Sequence, residues 1–396
     1  MEFLEHLINT WYGATFVLIA SSIILSRACN VFEASTNFLG RNMNDGVKGA
    51  TLNAIGSSMP EFFTTVFFLV FATHQNLGRD FAASVGGNTG SAIFNSIVIP
   101  MLVIWVVLAI HSKGVRFSKK VILRDGLFLI GAESVLLILL SSSYLTFWHG
   151  LAFTGFYILY VSYTLFHMDK KKNDKKDYND ESPESWYEKY QFKSIKNRVG
   201  RSWILLILST IVISITCAGI VEGCKSVAEA IGINPLFVAL IVVAAASSIP
   251  DTIISIKDAR KGNYDDALSN VLASNIFDIT ISMGLPLAVF LLITGQKIDF
   301  IEAGPTLIDI RIMLVLITII TIATYYFSKE LKTVHIIILG TLYLLFIVYA
   351  IGAADYYAEG NTFFAEFFGG IIEFLRKPGG IGDILQKIAD YLTYNW

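Results

Sequence analysis

The chain has 396 residues, of which 54% are hydrophobic and only 16% are charged, and its formal net charge is −2. A soluble globular domain carries about 25% charged residues. The apolar residues of this chain also come in long uninterrupted runs, which exclude an ordinary water-soluble fold. The near-neutral balance gives no support to nucleic-acid binding, which needs a basic face, and three cysteines exclude a disulfide scaffold.

Long apolar runs predict an all-α polytopic membrane protein, because a run of about 18 apolar residues spans a bilayer as a helix. The first run has no clear cleavage site and is predicted to be a retained span rather than a signal peptide. The ten predicted spans lie near residues 11–33, 47–73, 82–111, 121–142, 145–167, 202–223, 234–256, 265–294, 310–328 and 333–353.

The positive charges between these spans predict the orientation. If the connecting segments alternate between the two sides, one side holds 22 Lys and Arg and the other holds 7. The richer side is predicted to be cytoplasmic, so both termini are predicted outside. The chain is therefore predicted to be an integral membrane protein, with the plasma membrane as the expected location.

Two polar or amphipathic segments lie outside the predicted spans. Residues 169–200 are highly charged and are predicted to form a solvated cytoplasmic linker, with a regulatory segment as the alternative. The tail, residues 355–396, is predicted to contain an amphipathic helix on the membrane surface. The apolar residues that indicate it are Phe363, Phe364, Phe367, Phe368, Ile384, Leu385, Ile388 and Leu392.

An internal repeat divides the chain. Residues 57–61 read Ser-Ser-Met-Pro-Glu and residues 247–251 read Ser-Ser-Ile-Pro-Asp, each in the middle of a predicted span. One span later, residues 90–95 read Gly-Ser-Ala-Ile-Phe-Asn and residues 273–278 read Ala-Ser-Asn-Ile-Phe-Asp.

The two copies predict two inverted five-helix repeats, because an odd number of spans makes the second half enter from the opposite side. These repeats are residues 1–168 and 201–354. Inverted repeats are common among secondary transporters, which place their binding site near the midplane.

Three carboxylates at membrane depth predict a cation site. An acid in mid-span costs roughly 2.5–3.5 kcal/mol to insert, yet Glu61, Asp251 and Asp278 each belong to a repeated motif. The membrane-depth parts of these spans carry no Lys or Arg, so a bound cation is the simplest partner. Pro60 and Pro250 are predicted to break their helices and free carbonyl oxygens.

Oxygen ligands of this kind suit hard cations such as Ca²⁺, Na⁺ or K⁺ rather than zinc or copper. Three ionised acids exceed the charge of one Ca²⁺ by one. A second monovalent cation would restore neutrality, and so would one protonated acid or a set of three Na⁺. The glycines at positions 49, 56, 86, 87 and 90 are predicted to allow bends near the site.

The two motifs at 57–61 and 247–251 resemble those of the cation/calcium exchanger superfamily. The similarity is closest to the potassium-dependent sodium/calcium exchangers, through the Pro-Asp at 250–251, the run from Asp258 to Pro286 and the Arg-Asp at 124–125. It covers about residues 45–105 and 235–290 well. Ala246 and Ala273 depart from it, since members usually have Gly there, and this puts ion selectivity in question.

The resemblance implies roles for individual residues. Glu61 and Asp251 would be the main Ca²⁺ carboxylates, Asp278 would be linked to K⁺, and Asn95 is its counterpart in the first half. Serine hydroxyls would supply further oxygens to Na⁺ or Ca²⁺, from Ser57, Ser58, Ser91, Ser247, Ser248 and Ser274. Glu133 is predicted to pair structurally rather than to line the path.

The predicted function is a secondary antiporter that exchanges Ca²⁺ for Na⁺ by alternating access, with K⁺ co-transport left open. Its substrates would be Ca²⁺ and Na⁺, and no cofactor or nucleotide is expected, since no Walker-type glycine loop is present. A proton-coupled Ca²⁺ antiporter is the main alternative, and a cation channel is a further one. An enzyme is not expected, because the GxGD match at 380–383 lies outside any predicted span.

Overall fold

The computed structural model describes residues 10–40, 54–111, 114–167, 186–192, 198–301, 303, 307–359 and 362–393. In the first part of the chain the elements are α1 (Trp11–Leu39), α2 (Ala54–Ser57), α3 (Met59–Val70), α4 (Leu77–His111), α5 (Lys119–Leu139), β1 (Tyr144–Leu145), α6 (Phe147–His167) and α7 (Trp186–Phe192).

The second part of the chain repeats this helical character. Its elements are α8 (Arg198–Ile231), α9 (Pro235–Val238), a π-helical segment (Ala239–Val243), α10 (Ala244–Ser247), α11 (Ile249–Arg260), α12 (Tyr264–Thr294), β2 (Ile298–Asp299), α13 (Ile308–Phe327), α14 (Thr333–Tyr357), α15 (Phe363–Arg376) and α16 (Ile381–Thr393).

Among the described residues, six helices are long and apolar enough to cross a membrane, namely α1, α4, α8, α12, α13 and α14. The bent run from Pro235 to Arg260 makes a seventh. Helices also lie at the fourth and fifth predicted spans, but α5 carries Arg124, Asp125 and Glu133, and α6 holds three tyrosines and two histidines. The described residues are thus nearly all helical and include helices long and apolar enough to span a membrane, as predicted, while the count of ten spans stays a prediction.

Short pairings tie the connecting segments together. β1 pairs antiparallel with β2, joining the segment after α5 to the segment after α12. An isolated bridge between Val115 and Leu331 joins the segment before α5 to the segment after α13. The backbone N–H of Ser118 donates to Asp265 at 2.6 Å. In each case the two joined segments are predicted to lie on the same side of the membrane.

Helix α12 occupies the centre of the larger core and packs on α3, α4, α5, α6 and α11. Helices α1 and α8 pack mainly on each other and form a second apolar cluster. The partly buried ion pair between Asp80 of α4 and Lys225 of α8, at 2.7 Å, joins the two units. Both helices expose large apolar side chains, such as Phe16 and Ile23 of α1 and Ile207 and Ile215 of α8, as lipid contact requires.

The linker and the tail both differ in detail from the prediction. Residues 168–185 and 193–197 of the linker region lie outside the described residues, α7 lies between them, and α8 begins at Arg198, inside the predicted linker. The tail forms two amphipathic helices instead of one, separated by a turn in which Gly379 has φ +76°. Only glycine adopts that φ without strain, and this explains the interruption.

Candidate cation-binding site

Two helix breaks face each other at the centre of the protein. Helix α2 ends at Ser57 and α3 begins at Met59, while α10 ends at Ser247 and α11 begins at Ile249, with a bend of 40° at the second break. The proline that follows each break has no N–H, so the carbonyl four residues earlier receives no helical hydrogen bond from it. The predicted breaks are therefore present at both motifs.

The breaks place both acids at helix N-termini. Glu61 lies in the first turn of α3 and Asp251 in the first turn of α11. The N-terminal end of a helix carries a partial positive charge, which favours a carboxylate there. The same two ends can contribute hydroxyl oxygens from the serines at the breaks.

Two continuous helices cross these breaks and complete the cluster. α4 brings Ser91 and Asn95, and α12 brings Ser274 and Asp278. All ten residues predicted from the sequence are buried, with side chains at most 2% exposed. They are Ser57, Ser58, Glu61, Ser91, Asn95, Ser247, Ser248, Asp251, Ser274 and Asp278.

The hydrogen bonds between the two halves are arranged in equivalent pairs. The hydroxyl oxygens of Ser58 and Ser274 lie 2.6 Å apart, and those of Ser248 and Ser91 lie 2.9 Å apart. Ser91 donates to Glu61 at 3.0 Å, and its counterpart Ser274 donates to Asp251 at 2.9 Å. Each half of the chain therefore supplies oxygens to the acid of its own half and to the break of the other.

The remaining predicted residues adjoin the same acids. The side-chain amide of Asn95 donates to Asp251 at 3.2 Å. Asp278 lies 3.5 Å from the Ser91 hydroxyl. Ser57 is next to the Asp251 carboxylate, and Ser247 is next to the Glu61 carboxylate. The structure thus brings all ten predicted residues into one cluster.

Three oxygens of this cluster are buried without a hydrogen-bond donor. They are Glu61 Oε2, Asn95 Oδ1 and Asp278 Oδ1. Buried acceptors normally find a donor, and no ion pair to the three carboxylates is found among the described residues. A desolvated cation would satisfy these oxygens, so the donor set fits a hard cation.

The ligand types do not match a transition-metal site. Within the described part of the chain, no group of three or more His, Cys, Asp and Glu side chains is placed to hold a metal ion. The cluster relies instead on hydroxyl and amide oxygens beside its acids, a set that suits Ca²⁺, Na⁺ and K⁺.

Sequence reasoning passed over some polar residues around the acids. Asn270 of α12 donates to Asp251 at 3.5 Å and to Ser255 at 3.4 Å. Asn275 donates to the Ala92 carbonyl at 3.0 Å and to Ser96 at 2.9 Å, which fastens α12 to α4. The available signal was their polarity within an otherwise apolar span.

The glycines of α4 do not mark a helix break. Gly86, Gly87 and Gly90 lie within α4, which runs without a break from Leu77 to His111. Gly86 permits a close approach of another helix, since a Cβ there would lie 2.8 Å from the Leu236 carbonyl oxygen. Gly56 does lie beside a break, in α2, and Gly49 is outside the described residues.

Glu133 lies apart from the cluster, in α5. It is fully buried and accepts a hydrogen bond from Thr318 of α13 at 2.6 Å. This contact is of the structural kind that was predicted for it.

Known proteins resemble this chain in both of its halves. The chain matches the family described as "Sodium/calcium exchanger protein" over residues 13–166 and 201–352. Sodium/potassium/calcium exchanger 1 of Bos taurus is 48% identical over 71 residues, which cover 18% of this chain and 6% of that protein. Putative antiporter CaxA of Alkalimonas amylolytica is 25% identical over 299 residues, covering 74% of this chain and 84% of CaxA.

Solved structures share the fold over most of the chain. The H⁺/Ca²⁺ exchanger CAX superposes with a TM-score of 0.69 at 15% identity, covering 96% of this chain and 88% of that chain. The sodium-calcium exchanger NCX_Mj superposes with a TM-score of 0.53 at 21% identity, covering 84% of this chain and 97% of that chain. With the family match across both halves, the chain belongs to the sodium/calcium exchanger family of the cation/calcium exchanger superfamily.

Proposed function

We propose that the chain is a secondary antiporter that moves Ca²⁺ in one direction and Na⁺ in the other through the cluster of ten residues. The observation that carries this proposal is the pairing of Glu61 and Asp251 across two proline breaks, beside buried oxygens that lack donors. Membership of a family of exchangers also confirms the prediction that the chain is not an enzyme.

The ligand roles follow from the contacts. Ca²⁺ takes six to eight oxygens, and carboxylates contribute the charge that displaces its water. Glu61 and Asp251 would bind it, with hydroxyl oxygens from the serines at the breaks and from Ser91 and Ser274. The bonds between serine hydroxyls of opposite halves would open when an ion takes their place.

The proposed architecture is ten helices in two inverted repeats, residues 1–168 and 201–354. Two observations support it: the equivalent hydrogen bonds of the two halves, and the loop pairings that join only segments predicted on the same side. The packing of α1 with α8 as a separate unit suits alternating access, in which this pair slides over the core.

The proton-coupled alternative has its own support. Three buried acids exceed the charge of one Ca²⁺, so a protonated carboxyl would neutralise the site as well as Na⁺ or K⁺ would. The superposition on the H⁺/Ca²⁺ exchanger CAX, which has a higher TM-score than that on NCX_Mj, supports this alternative. We retain proton coupling as the second candidate.

A flux measurement separates the candidates. The full-length chain is reconstituted into liposomes, and ⁴⁵Ca²⁺ uptake is measured with internal Na⁺, with and without external K⁺, and then with a proton gradient in place of Na⁺. We expect uptake that requires internal Na⁺. Uptake driven by the proton gradient alone would contradict sodium coupling, and uptake under no gradient would indicate a channel.

Asp278→Asn tests the potassium role that the family resemblance implies. Asp278 is the third acid of the site, so its neutralisation should remove the need for a second cation while leaving Glu61 and Asp251 in place. We expect Ca²⁺ uptake to persist and to lose any dependence on external K⁺. A K⁺ dependence unchanged from wild type in the same liposomes would refute the role.

The membrane and orientation remain proposals. The excess of Lys and Arg on one side supports a cytoplasmic location for the connecting segment 169–200 and an outside location for both termini, in the plasma membrane. Labelling of a single cysteine introduced at Tyr391, an exposed tail residue, by an impermeant reagent on intact cells would test it.

A further inference from the structure

A cavity of about 250 Å³ lies where the two tail helices meet the ends of α5 and α13, and none of the ten residues of the candidate cation site lines it. Its wall includes two arginines, Arg311 and Arg376, and one acid, Asp383, together with Gln386, Gly382 and Ser141. Neither the proposed ions nor the antiport mechanism accounts for a cavity lined by two cations.

Arg311 is fixed at the inner wall. Its side chain is fully buried, with Nε donating to the Leu307 carbonyl at 3.2 Å and Nη1 donating to the Leu137 carbonyl at 3.2 Å. A buried arginine in a membrane helix is costly and marks a functional position by default. The nearby acid Asp309 is also buried and accepts a hydrogen bond from Tyr349.

The outer wall comes from the tail. Arg376 ends α15, and Gly382 lies in the first turn of α16, a helix of 13 residues. A helix N-terminus offers free backbone N–H groups and a partial positive charge, which favour phosphate. Here it faces the same space as the two guanidinium groups.

The acids near the cavity have partners of their own. Asp383 accepts hydrogen bonds from Lys387 Nζ at 2.8 Å and from the Gly379 N–H at 2.9 Å. The Lys387 hydrogen bond lowers the pKa of the Asp383 carboxyl, so this acid is ionised and neutralised by its lysine. Asp390 accepts from the backbone and hydroxyl of Ser143 at 2.8 and 2.9 Å.

The two tail helices also carry exposed apolar side chains. Phe367 and Phe374 of α15 are 56% and 59% exposed, and Ile384 and Leu392 of α16 are 50% and 52% exposed. Amphipathic helices with such faces lie in the membrane interface, where acyl chains cover them. If the tail lies in this way, the cavity would open near the lipid headgroups.

We propose that this cavity binds the phosphate group of an anionic membrane phospholipid, whose acyl chains lie along the apolar faces of α15 and α16. Arg376 suits this role because a planar guanidinium can contact phosphate through two parallel hydrogen bonds. Arg311 already donates from Nε and Nη1 to backbone carbonyls, so it would contribute its charge and its remaining N–H groups. The lipid would hold the tail against the ends of α5 and α13.

Arg376→Gln tests the site, with Lys377→Gln as the matched control. Both changes remove one positive charge from the end of α15, but Lys377 lies over the Phe374 ring at 4.2 Å and does not line the cavity. The full-length protein is delipidated, exposed to nanodiscs of phosphatidylglycerol or phosphatidylcholine, and its retained lipid is counted by native mass spectrometry.

We expect Arg376→Gln to lower phosphatidylglycerol retention about tenfold, as the loss of one charge-assisted contact predicts, while Lys377→Gln retains it as wild type does. Equal retention by both variants, or equal retention of the two lipids by wild type, would overturn the proposal. Inorganic phosphate is the third arm. If it raises the melting temperature of wild type as much as phosphatidylglycerol does, a free anion is the ligand and the lipid assignment fails.

Discussion

Glu61→Gln is expected to abolish Ca²⁺ transport while the protein still folds. Gln keeps the shape of Glu61 but removes the charge that the Ser91 hydroxyl now contacts at 3.0 Å. A loss of at least about 100-fold in the initial rate of ⁴⁵Ca²⁺ uptake corresponds to roughly 2.7 kcal/mol. The measurement is uptake into Na⁺-loaded liposomes at matched protein density.

Thermal melting separates loss of the site from loss of the fold. A ligand that binds only the native state at about 100 times its Kd stabilises that state by roughly 2.7 kcal/mol. Wild type should therefore melt at a higher temperature in Ca²⁺, and Glu61→Gln should not respond. Without Ca²⁺ the variant should be at least as stable as wild type, because it no longer buries an unpaired charge.

Glu133→Gln is the matched control for this experiment. It makes the same chemical change in another fully buried acid, one that is held by Thr318 and lies outside the ten-residue cluster. Uptake and the Ca²⁺ response of Glu133→Gln should stay near those of wild type. If Glu61→Gln retains full uptake, or if both variants lose it equally, the assignment of Glu61 as a Ca²⁺ ligand is wrong.

The cluster itself could be predicted from the sequence because burying its carboxylates in a membrane costs free energy. A single acid after a proline in the middle of a span is already unusual. Because the same pair occurs at both Glu61 and Asp251, it indicates two halves of one site. The second motifs then follow one span later in each half. Their residues Ser91 and Ser274 make equivalent contacts in the structure, although the distances of these contacts could not be predicted.

Features that depend on backbone approach between distant helices were not predictable. A glycine pattern alone does not distinguish a bend from a close crossing, and α4 proved to be continuous. The π-helical segment Ala239–Val243 leaves no sequence signal that we recognised. The cavity beside Arg311 was also hidden, because it requires the tail to pack back on α5 and α13.

Gly90→Ala is expected to damage both stability and transport. A Cβ at Gly90 would collide with the Leu240 carbonyl oxygen and lie 2.8 Å from the Ala244 Cβ. Overpacking of a well-packed interior costs about 1–3 kcal/mol, and here the obstacle is backbone, which cannot rotate away. The melting temperature in detergent should fall accordingly.

Transport should also fall, since the next residue after Gly90 is Ser91. Displacing α4 from the π-helical segment would lengthen the contacts of Ser91 with Ser248 and Glu61, now 2.9 and 3.0 Å. These contacts join the two halves of the site. We therefore expect reduced Ca²⁺ uptake even at temperatures where Gly90→Ala remains folded.

Gly155→Ala is the control for this experiment, because its expected change in melting temperature is opposite to that of Gly90→Ala. Gly155 lies within α6, and a Cβ there would meet no atom within 4 Å. Alanine in a helix interior is favoured over glycine by roughly 0.5–1 kcal/mol, so this variant should melt at an equal or higher temperature and transport normally. If Gly90→Ala behaves like Gly155→Ala, then α4 does not need its glycine to reach Leu240. The close crossing would then not be what positions Ser91.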